Sequence, residues 1–424
     1  MSRTSTDVDL MVIGAGLAGL SAALFAAQRG LSVCLAGDAG GLDFHTGCLD
    51  LLGVHPMEEG RTHDDPWKAL HELAEAHPQH PYARIAPETI RQAFYEFTTC
   101  LAQGGLLYQG HEQTNLKVLT SAGTIKHTYR VPHTMWNGVK ALKQALPTLL
   151  VDFKGMKDFN LAQAVEVQKE RWPGLRHARL ALEGYRGDLH AEALAWDLAL
   201  AANREKLAKQ IKPHLKDEQA VGLPAVLGIH DTLTIKAHLE ELLGVSVFEV
   251  PTPPPSIAGL RLREVMDQAL ATLDVQLFFK QRVTSFRVLA DGCFEFNTTA
   301  DGDGPPVRAK GAILAGGRFI GQGLKTDRTR IWEPLFSLPV HQPPARQDWH
   351  REDFYDPKGH PVNQAGLETD AKLRPLAESG EPAYPNLFAA GTILAHQDWM
   401  RQKCGSGLAL ATALTAVEAF RDMT

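Results

Sequence analysis

The amino-acid sequence predicts an α/β fold: a Rossmann-like domain of the two-dinucleotide type, with an inserted α/β domain and a small antiparallel β excursion. The first observation is a strand, a glycine turn, a helix and a second strand within residues 10–36. The second is that two later apolar segments also end in glycine, at Gly316-Gly317 and at Gly391. The third is an alternation of strand-like and helix-like segments between residues 149 and 250, which is typical of α/β domains.

The turn after the first predicted strand has the spacing G-x-G-x-x-G. Residues 10–13 are apolar and predict a short buried strand, and an alanine- and leucine-rich helix follows the turn. In this context Gly14 allows the tight turn, Gly16 lets a phosphate approach the backbone, and Gly19 lets helix and strand pack closely. The N–H groups at the helix start and the helix dipole favour an anion. The motif predicts a bound nucleotide or flavin phosphate, against the plainer interpretation of a tight turn without a ligand.

The end of the second predicted strand departs from the dinucleotide pattern. In such sites an acidic residue at the end of this strand binds the adenosine ribose. Here Ala36 and Gly37 occupy the expected place, and Asp38 comes one residue later. Either Asp38 binds the ribose from a shifted position, or no adenosine ribose is bound. The departure weakens the case for FAD and leaves room for a mononucleotide.

Glycine motifs recur in the C-terminal part of the chain. A strand that ends at Gly316-Gly317 follows a predicted antiparallel unit with strands at residues 278–288, 292–299 and 307–314. A short strand ends at Gly391, where a backbone N–H is expected to meet the phosphate or ribityl chain of a flavin. Gly405 and Gly407 open the last helix, whose N-terminus would stabilise negative charge on a reduced flavin. In this order after the first fingerprint, the motifs predict a flavoprotein.

The predicted domain boundaries follow these signals. Residues 1–115 are expected to form the N-terminal part of the flavin-binding domain, 116–250 the inserted α/β domain, and 251–424 the return to the flavin-binding domain. A proline-rich run at 251–256 predicts the linker into the last part. The elements predicted for the inserted domain include strands at 149–153, 178–182, 225–229 and 245–250 and one long helix at 191–211.

Composition and charge argue against several classes of protein. The chain has 424 residues, of which 44% are hydrophobic and 22% charged, as in ordinary globular proteins. A formal net charge of -6 argues against a nucleic-acid partner, which usually needs a basic face. The five cysteines include no C-x-x-C pair, so no iron–sulfur or other metal site is expected, and a reducing cytoplasmic compartment fits best. The uncharged segment 10–28 is interpreted as protein core, not as a membrane span or a secretory signal.

Further short motifs accompany the glycines along the whole chain. They lie at residues 46–52, 77–78, 80–82, 251–262, 354–355, 366–370, 373–375, 386–391 and 405–407. With these motifs the sequence resembles the B-subunit family of anaerobic glycerol-3-phosphate dehydrogenases, within the FAD-dependent oxidoreductase and fumarate-reductase-like group. The resemblance runs from end to end and is thinnest in the predicted inserted domain.

The resemblance implies one flavin subunit of a three-part enzyme that oxidises sn-glycerol 3-phosphate to dihydroxyacetone phosphate and passes electrons to a quinone pool. Under this resemblance the subunit either oxidises the substrate by hydride transfer to its flavin or relays electrons to an iron–sulfur partner. The resemblance also implies FMN in this protein, with FAD as the alternative. The implied partners are an FAD-bearing catalytic subunit (the A-type partner) and a membrane-bound iron–sulfur subunit (the C-type partner). The chain would then be cytoplasmic and held at the inner membrane by a partner. Two other interpretations stay open: a flavin oxidoreductase of the same fold acting on another small substrate, and a non-catalytic assembly subunit.

Oxidation of a secondary alcohol requires a base for the hydroxyl proton and a flavin that accepts the hydride. A phosphate-bearing substrate also requires arginine or lysine. The sequence offers His45, His396 and Arg401 as candidate catalytic residues, with Arg318 and Lys403 as further cations near the expected flavin edge. Each also has a plainer interpretation, as a structural hydrogen-bonding group or a surface cation.

Overall fold

In the computed structural model, the described residues are 6–37, 39–182, 184–185, 187–298 and 306–423. The strands within them are β1 (Thr6–Ile13), β2 (Val33–Gly37), β3 (Tyr108–Gly110), β4 (Leu116–Leu119), β5 (Ile125–Thr128), β6 (Arg130–Pro132), β7 (Thr148–Phe153), β8 (Leu175–Leu180), β9 (Ala220–Pro224), β10 (Ser246–Val250), β11 (Gln276–Phe279), β12 (Val283–Val288), β13 (Phe294–Thr298), β14 (Val307–Leu314), β15 (Lys325–Thr326), β16 (Ile331–Trp332) and β17 (Leu387–Ala389). The helices are α1 (Leu17–Gln28), α2 (Pro66–Ala76), α3 (Pro87–Gln103), α4 (His133–Gln144), α5 (Leu161–Gln168), α6 (Ala191–Asp197), α7 (Ala201–Ile211), α8 (Thr232–Leu243), α9 (Ile257–Thr272), α10 (Trp399–Gln402) and α11 (Gly405–Arg421). In these parts of the chain, no helix combines the length and the apolar character that crossing a membrane requires.

The chain divides into two compact units. The first unit comprises Met1–Gly41, Asp50–Cys100 and Met266–Thr424, and the second comprises Leu42–Leu49 and Leu101–Val265. The domain boundaries predicted from the sequence, at 115/116 and 250/251, stay a prediction.

The first unit is built on one mixed sheet. Among the described residues its strand order is β11-β2-β1-β14-β13-β12, with β17 also paired to β14. β1 lies between β2 and β14 and is parallel to both, so Ile13 stands opposite Ala36 and Leu314. β12, β13 and β14 form the predicted antiparallel excursion. The prediction that this excursion begins at residue 278 is wrong, because Phe278 belongs to β11, which pairs in parallel with β2.

The two apolar helices of the first unit pack against each other. α1 contacts α11, and both helices also contact strands of the sheet. Leu20 and Phe25 in α1 and Leu410 in α11 have no exposed surface. A helix that is apolar on all sides is buried on all sides, and the many alanines of both helices let them approach closely. The uncharged segment after β1 is therefore a core helix, as the sequence predicts.

The second unit contains a parallel sheet of order β10-β9-β7-β8 within the described residues. Its core includes Leu149, Val221 and Leu239, which have no exposed surface. β4 and β5 form an antiparallel hairpin in the same unit. Strands that alternate with helices and pair in parallel agree with the α/β pattern of the sequence.

Two elements predicted for this unit are wrong. The strand predicted at 225–229 lies at Ala220–Pro224 instead, and Pro224 is its last residue. A proline has no N–H to donate and is tolerated at a strand end, while the next residues turn through Gly228 at φ +75°. The single helix predicted at 191–211 is divided into α6 and α7, because Leu200 has the extended backbone of an N-cap residue.

Candidate functional site

The turn between β1 and α1 has no room for a side chain at two of its glycines. Gly14 has φ +118°, and its N–H donates to the Ala36 carbonyl oxygen at 2.7 Å. A Cβ at Gly14 would lie 2.4 Å from the Ala315 carbonyl oxygen, and a Cβ at Gly19 would lie 1.7 Å from the Gly14 carbonyl oxygen. Glycine is therefore required at both positions by the protein itself, whether or not a ligand is present.

Gly16 behaves differently from its two neighbours in the motif. A Cβ at Gly16 would meet no atom of the described protein within 4 Å. Gly16 is also the N-cap residue of α1, and no side chain of the described residues caps the helix there. The helix therefore begins at open space beside uncapped N–H groups, which fits the phosphate of a nucleotide or flavin.

The end of β2 has no acidic side chain within the strand. Ala36 and Gly37 are its last residues. A Cβ at Gly37 would lie 2.5 Å from the Ala15 backbone nitrogen, so that position is closed to any side chain. Asp38, the candidate ribose ligand, lies outside the described residues.

The Gly316-Gly317 turn leads into an arginine that joins three loops of the first unit. Gly317 has φ +65°. The Arg318 guanidinium donates to the carbonyl oxygens of Thr392 at 2.9 Å, Gln397 at 2.8 Å and Asn363. Burial lowers the pKa of Arg318 to about 10, although the nearby Asp398 carboxylate acts in the opposite direction. The side chain stays charged at neutral pH, and its donors are used by the protein, which points to a positioning role.

Replacing Arg318 by methionine should lower the free energy of unfolding by about 3 kcal/mol, since three hydrogen bonds to a charged group are lost. Urea unfolding measures this difference. Arg328→Met, which changes an exposed arginine of the same unit, is the matched control and should behave like the unmodified chain. Equal unfolding curves for both variants would contradict the positioning role.

The later glycines pack closely within the first unit. The N–H of Gly391 donates to Thr412 Oγ1 at 2.8 Å, and the N–H of Gly407 donates to the Asp50 carbonyl oxygen at 2.6 Å. Thr412 thus already accepts the N–H of Gly391 itself, and the expectation that a backbone N–H of this turn meets a flavin stays a prediction. A Cβ at Gly405 would lie 2.8 Å from the Trp399 ring. Cofactor contacts at Gly316, Gly317, Gly391, Gly405 and Gly407 stay predictions.

His396 follows the Gly391 turn and is paired with a carboxylate. Its Nε2 lies 2.8 Å from Glu368 Oε1, and 13% of its side chain is exposed. Its backbone has φ +63°, a conformation that residues other than glycine rarely adopt, and its N–H donates to the Gln364 carbonyl oxygen at 3.0 Å. Backbone strain of this kind concentrates at functional sites. The structure therefore holds His396 in one place by both its backbone and its side chain.

A second histidine ring lies against His396 in a tilted arrangement. The ring centroids of His341 and His396 are 4.2 Å apart, and His341 Nδ1 lies 3.9 Å from Glu368 Oε1. Burial and the neighbouring His396 lower the pKa of His341. Among the described residues, His341, Glu368 and His396 place their ligand atoms within 4.8 Å of one another, a spacing that could hold a metal ion. The sequence-based expectation of no metal stays a prediction.

Arg401 lies close to the same loops. Its Nε is 3.9 Å from Asp398 Oδ2, and its backbone N–H donates to Asp398 Oδ1 at 3.3 Å. Asp398 is buried and also accepts a hydrogen bond from Asn363 Nδ2 at 3.0 Å. Because Arg318 donates to the Asn363 carbonyl, the structure brings Arg318 and Arg401 to one network around Asp398. Catalytic roles for His396 and Arg401 stay predictions.

His45 belongs to the second unit. Its Nδ1 accepts a hydrogen bond from the Gly47 N–H at 3.1 Å, which agrees with the structural interpretation of this residue. Tyr108 donates its hydroxyl to the Gly47 carbonyl oxygen at 2.7 Å, so the turn is fixed from two sides. The catalytic role of His45 stays a prediction.

A cavity of about 400 Å³ opens beside His341 in the first unit. Its lining includes the cations Arg351 and Lys358 and the carboxylate Glu58. Sequence reasoning did not single out Arg351, Lys358, His341 and Glu368, which the structure adds as candidate site residues. Glu368 lies in the motif 366–370, which was the one available signal, while the others stand in segments without a recognisable pattern.

Known proteins resemble this chain over most of its length. The sequence matches the model of the FAD binding domain family over residues 9–408. It is 30% identical to the B subunit of anaerobic glycerol-3-phosphate dehydrogenase from Vibrio vulnificus (strain YJ016), over 97% of this chain and 96% of that protein. It is 32% identical to the probable B subunit of anaerobic glycerol-3-phosphate dehydrogenase from Halobacterium salinarum (strain ATCC 29341 / DSM 671 / R1), over 97% of each. Among solved structures, the 3-ketosteroid delta1-dehydrogenase from Sterolibacterium denitrificans in complex with 1,4-androstadiene-3,17-dione is 13% identical, with 99% of this chain and 100% of that chain covered and a TM-score of 0.44.

The family match confirms the predicted flavoprotein, whereas the preference for FMN over FAD stays a prediction. The identity to the two relatives extends over nearly the full length of both sequences, beyond the motifs that first suggested the resemblance. The chain belongs to the FAD binding domain family and, within it, to the oxidoreductase family of anaerobic glycerol-3-phosphate dehydrogenase B subunits.

Proposed function

We propose that this chain is the flavin-bearing subunit of a quinone-linked anaerobic dehydrogenase that oxidises sn-glycerol 3-phosphate to dihydroxyacetone phosphate. The observation that carries the proposal is the pairing of His396 with Glu368 immediately after the Gly391 turn. A histidine held by a carboxylate is suited to accept the hydroxyl proton of an alcohol. The shared name of the relatives supports the choice of alcohol.

The proton would be accepted by one nitrogen of His396. The Glu368 carboxylate accepts a hydrogen bond from Nε2–H, which leaves the lone pair on Nδ1. Nδ1 takes the hydroxyl proton, and the carboxylate stabilises the imidazolium that forms. A bound flavin supplies the acceptor for the hydride that leaves the same secondary carbon. Arg401, beside Asp398, contributes positive charge to the neighbouring loops and favours an anionic substrate.

We propose FMN as the flavin, with FAD as the alternative. The support for FMN is the end of β2, where Ala36 and Gly37 provide no acid for an adenosine ribose. The support for FAD is the family to which the chain belongs. The open space at Gly16 suits the phosphate of either flavin.

The proposed enzyme requires further subunits, because electrons that enter the flavin must reach a quinone. We propose two partners: an FAD-bearing subunit, which the resemblance describes as catalytic and which in this proposal shares the electron path with the present chain, and a membrane-bound iron–sulfur subunit. The chain would lie in the cytoplasm and be held at the inner membrane through a partner. The support is that the relatives are named as subunits.

The test is to purify the protein, release its cofactor for mass analysis, and then mix the flavin-loaded protein with sn-glycerol 3-phosphate without oxygen. We expect FMN at near-equal stoichiometry and loss of the oxidised flavin absorbance on mixing. Purification together with the two co-expressed partners should preserve this reaction and add quinone reduction.

Other results would favour other interpretations. Release of FAD would show that a group outside β2 binds the adenosine half. A flavin that glycerol 3-phosphate does not reduce, even in the complex, would overturn the proposed reaction and favour another small substrate. Protein without flavin would favour an assembly subunit.

A further inference from the structure

We infer that the cavity beside His341 is a phosphate subsite in which Arg351 and Lys358 select phosphorylated substrates; this inference rests on the proposed function. The cavity has a volume of about 400 Å³, within the range of small-molecule sites. Both cations and His341 are among its lining residues. The cavity therefore contains two cationic side chains and one member of the His341–His396 pair.

Among the described residues, the guanidinium group of Arg351 is anchored through Nε alone. Its Nε donates to the Gly359 carbonyl oxygen at 2.9 Å and lies 3.9 Å from Asp356 Oδ2. In the described parts of the chain, neither terminal nitrogen of this guanidinium has a hydrogen-bond partner. A guanidinium fixed at Nε keeps its two terminal N–H groups for bidentate binding of a phosphate.

Lys358 adds a second cation to the same cavity. Its backbone N–H donates to Asp356 Oδ1 at 2.8 Å, which fixes the backbone at the base of the side chain. Its ammonium group has no ion pair or hydrogen bond among the described residues, so no carboxylate of that part of the chain neutralises it. Together the two cations offer donors for a dianion.

His360 fixes the loop that carries both cations. Its Nδ1 accepts a hydrogen bond from the Arg351 backbone N–H at 3.1 Å, so its other nitrogen, Nε2, donates to the Phe354 carbonyl oxygen at 3.0 Å. Both nitrogens are thus used within the loop, and His360 is a positioning residue. The N–H of Gly359 donates to the Asp356 carbonyl oxygen at 3.0 Å and closes the turn between the two cations.

The remaining polar groups of the cavity suit a polyol. Glu58 contributes a carboxylate to the lining, which can accept hydrogen bonds from hydroxyl groups. His341 lies on the cavity wall and contacts His396, with 4.2 Å between the two ring centroids. The lining therefore offers cations for a phosphate together with a carboxylate and a histidine that can form hydrogen bonds with hydroxyl groups.

The experiment measures binding of inorganic phosphate and of sn-glycerol 3-phosphate to the full flavin-loaded chain by calorimetry. Arg351→Gln and Lys358→Gln should each weaken both affinities by about tenfold to a hundredfold, because a charge-assisted contact is lost. Lys325→Gln, which removes an exposed lysine in β15, is the matched control and should bind like the unmodified chain. Flavin content shows that each variant is folded, and Arg351→Lys, which keeps the charge, should recover part of the phosphate affinity.

The outcomes separate the subsite from the proposed reaction. If both glutamine variants bind phosphate and glycerol 3-phosphate like the unmodified chain, the subsite is overturned even when the enzyme oxidises glycerol 3-phosphate. If the unmodified chain binds inorganic phosphate through Arg351 and Lys358 but glycerol 3-phosphate never reduces its flavin, the subsite stands and the proposed function fails. If the unmodified chain binds neither compound, the subsite is overturned as well.

Discussion

Replacing His396 by glutamine should slow the reduction of the bound flavin by glycerol 3-phosphate by about 10²–10⁴-fold, the usual contribution of a positioned base. Glutamine has nearly the same length and still forms a hydrogen bond with Glu368, but it does not accept a proton at neutral pH. The flavin content should not change. Stopped-flow absorbance under anaerobic conditions measures the rate of the first reduction, before any partner protein is needed.

The controls for this experiment lie on the same chain. His71→Gln changes a histidine whose side chain is 75% exposed and which pairs with Glu75 within α2, and it should leave the rate unchanged. Glu368→Gln should slow the reaction less than His396→Gln, since His396 remains but loses the carboxylate that stabilises its protonated form. A His396→Gln variant that reduces its flavin at the original rate would remove His396 from the mechanism and leave His341 and His45 as the candidate bases.

The candidate base His396 could be proposed from the sequence because it follows a motif, whereas the residues that contact it could not. His396 comes shortly after Gly391, and the glycine motif predicts where that segment lies. His341 and Glu368 reach it through backbone pairing: His341 pairs with Gly366, and Leu367 donates its N–H to the Ile393 carbonyl oxygen at 2.8 Å. These contacts join loops with no regular periodicity, and a single sequence carries no signal for such pairing.

The apolar region that contains β9 gives a second example of what could and could not be predicted from the sequence. The region 220–229 reads as one apolar stretch, and either half satisfies the pattern of a buried strand. The structure uses Ala220–Pro224, which pairs with β7 on one side and β10 on the other. Hydrogen bonds to the neighbouring strands determine which of these residues form the strand, and the neighbouring strands lie far away in the sequence. The parallel α/β class was predictable, while this strand boundary was not.

The N-terminal fingerprint was the most predictable part of the site, because its constraints are local. Gly14, Gly16 and Gly19 have different roles in the structure. Gly14 and Gly19 are required by close backbone packing, whereas Gly16 borders open space. A sequence pattern treats the three glycines alike. The differences in surroundings therefore yield a prediction that the pattern alone does not contain.

Gly16→Ala and Gly19→Ala should separate flavin binding from folding. A methyl group at Gly16 meets no described protein atom within 4 Å, so its effect on the free energy of unfolding without flavin should stay within about 0.5 kcal/mol. The same methyl group occupies the space that a phosphate needs, and flavin affinity should fall by about a hundredfold, or ~2.7 kcal/mol. At Gly19 a methyl group would lie 1.7 Å from the Gly14 carbonyl oxygen, and the turn should lose about 3 kcal/mol or more of stability.

Urea unfolding of the flavin-free proteins and fluorescence titration with FMN and FAD measure the two effects separately. Gly16→Ala should keep the unfolding midpoint of the original protein and bind flavin more weakly. Gly19→Ala should instead unfold at a lower urea concentration than the original protein. The reason for this contrast is geometric, since the two residues are three positions apart on the same helix start but only Gly19 faces the backbone of the turn. Undiminished flavin affinity in a stable Gly16→Ala protein would mean that the phosphate lies elsewhere, and the open space at the N-terminus of α1 would then have no part in binding.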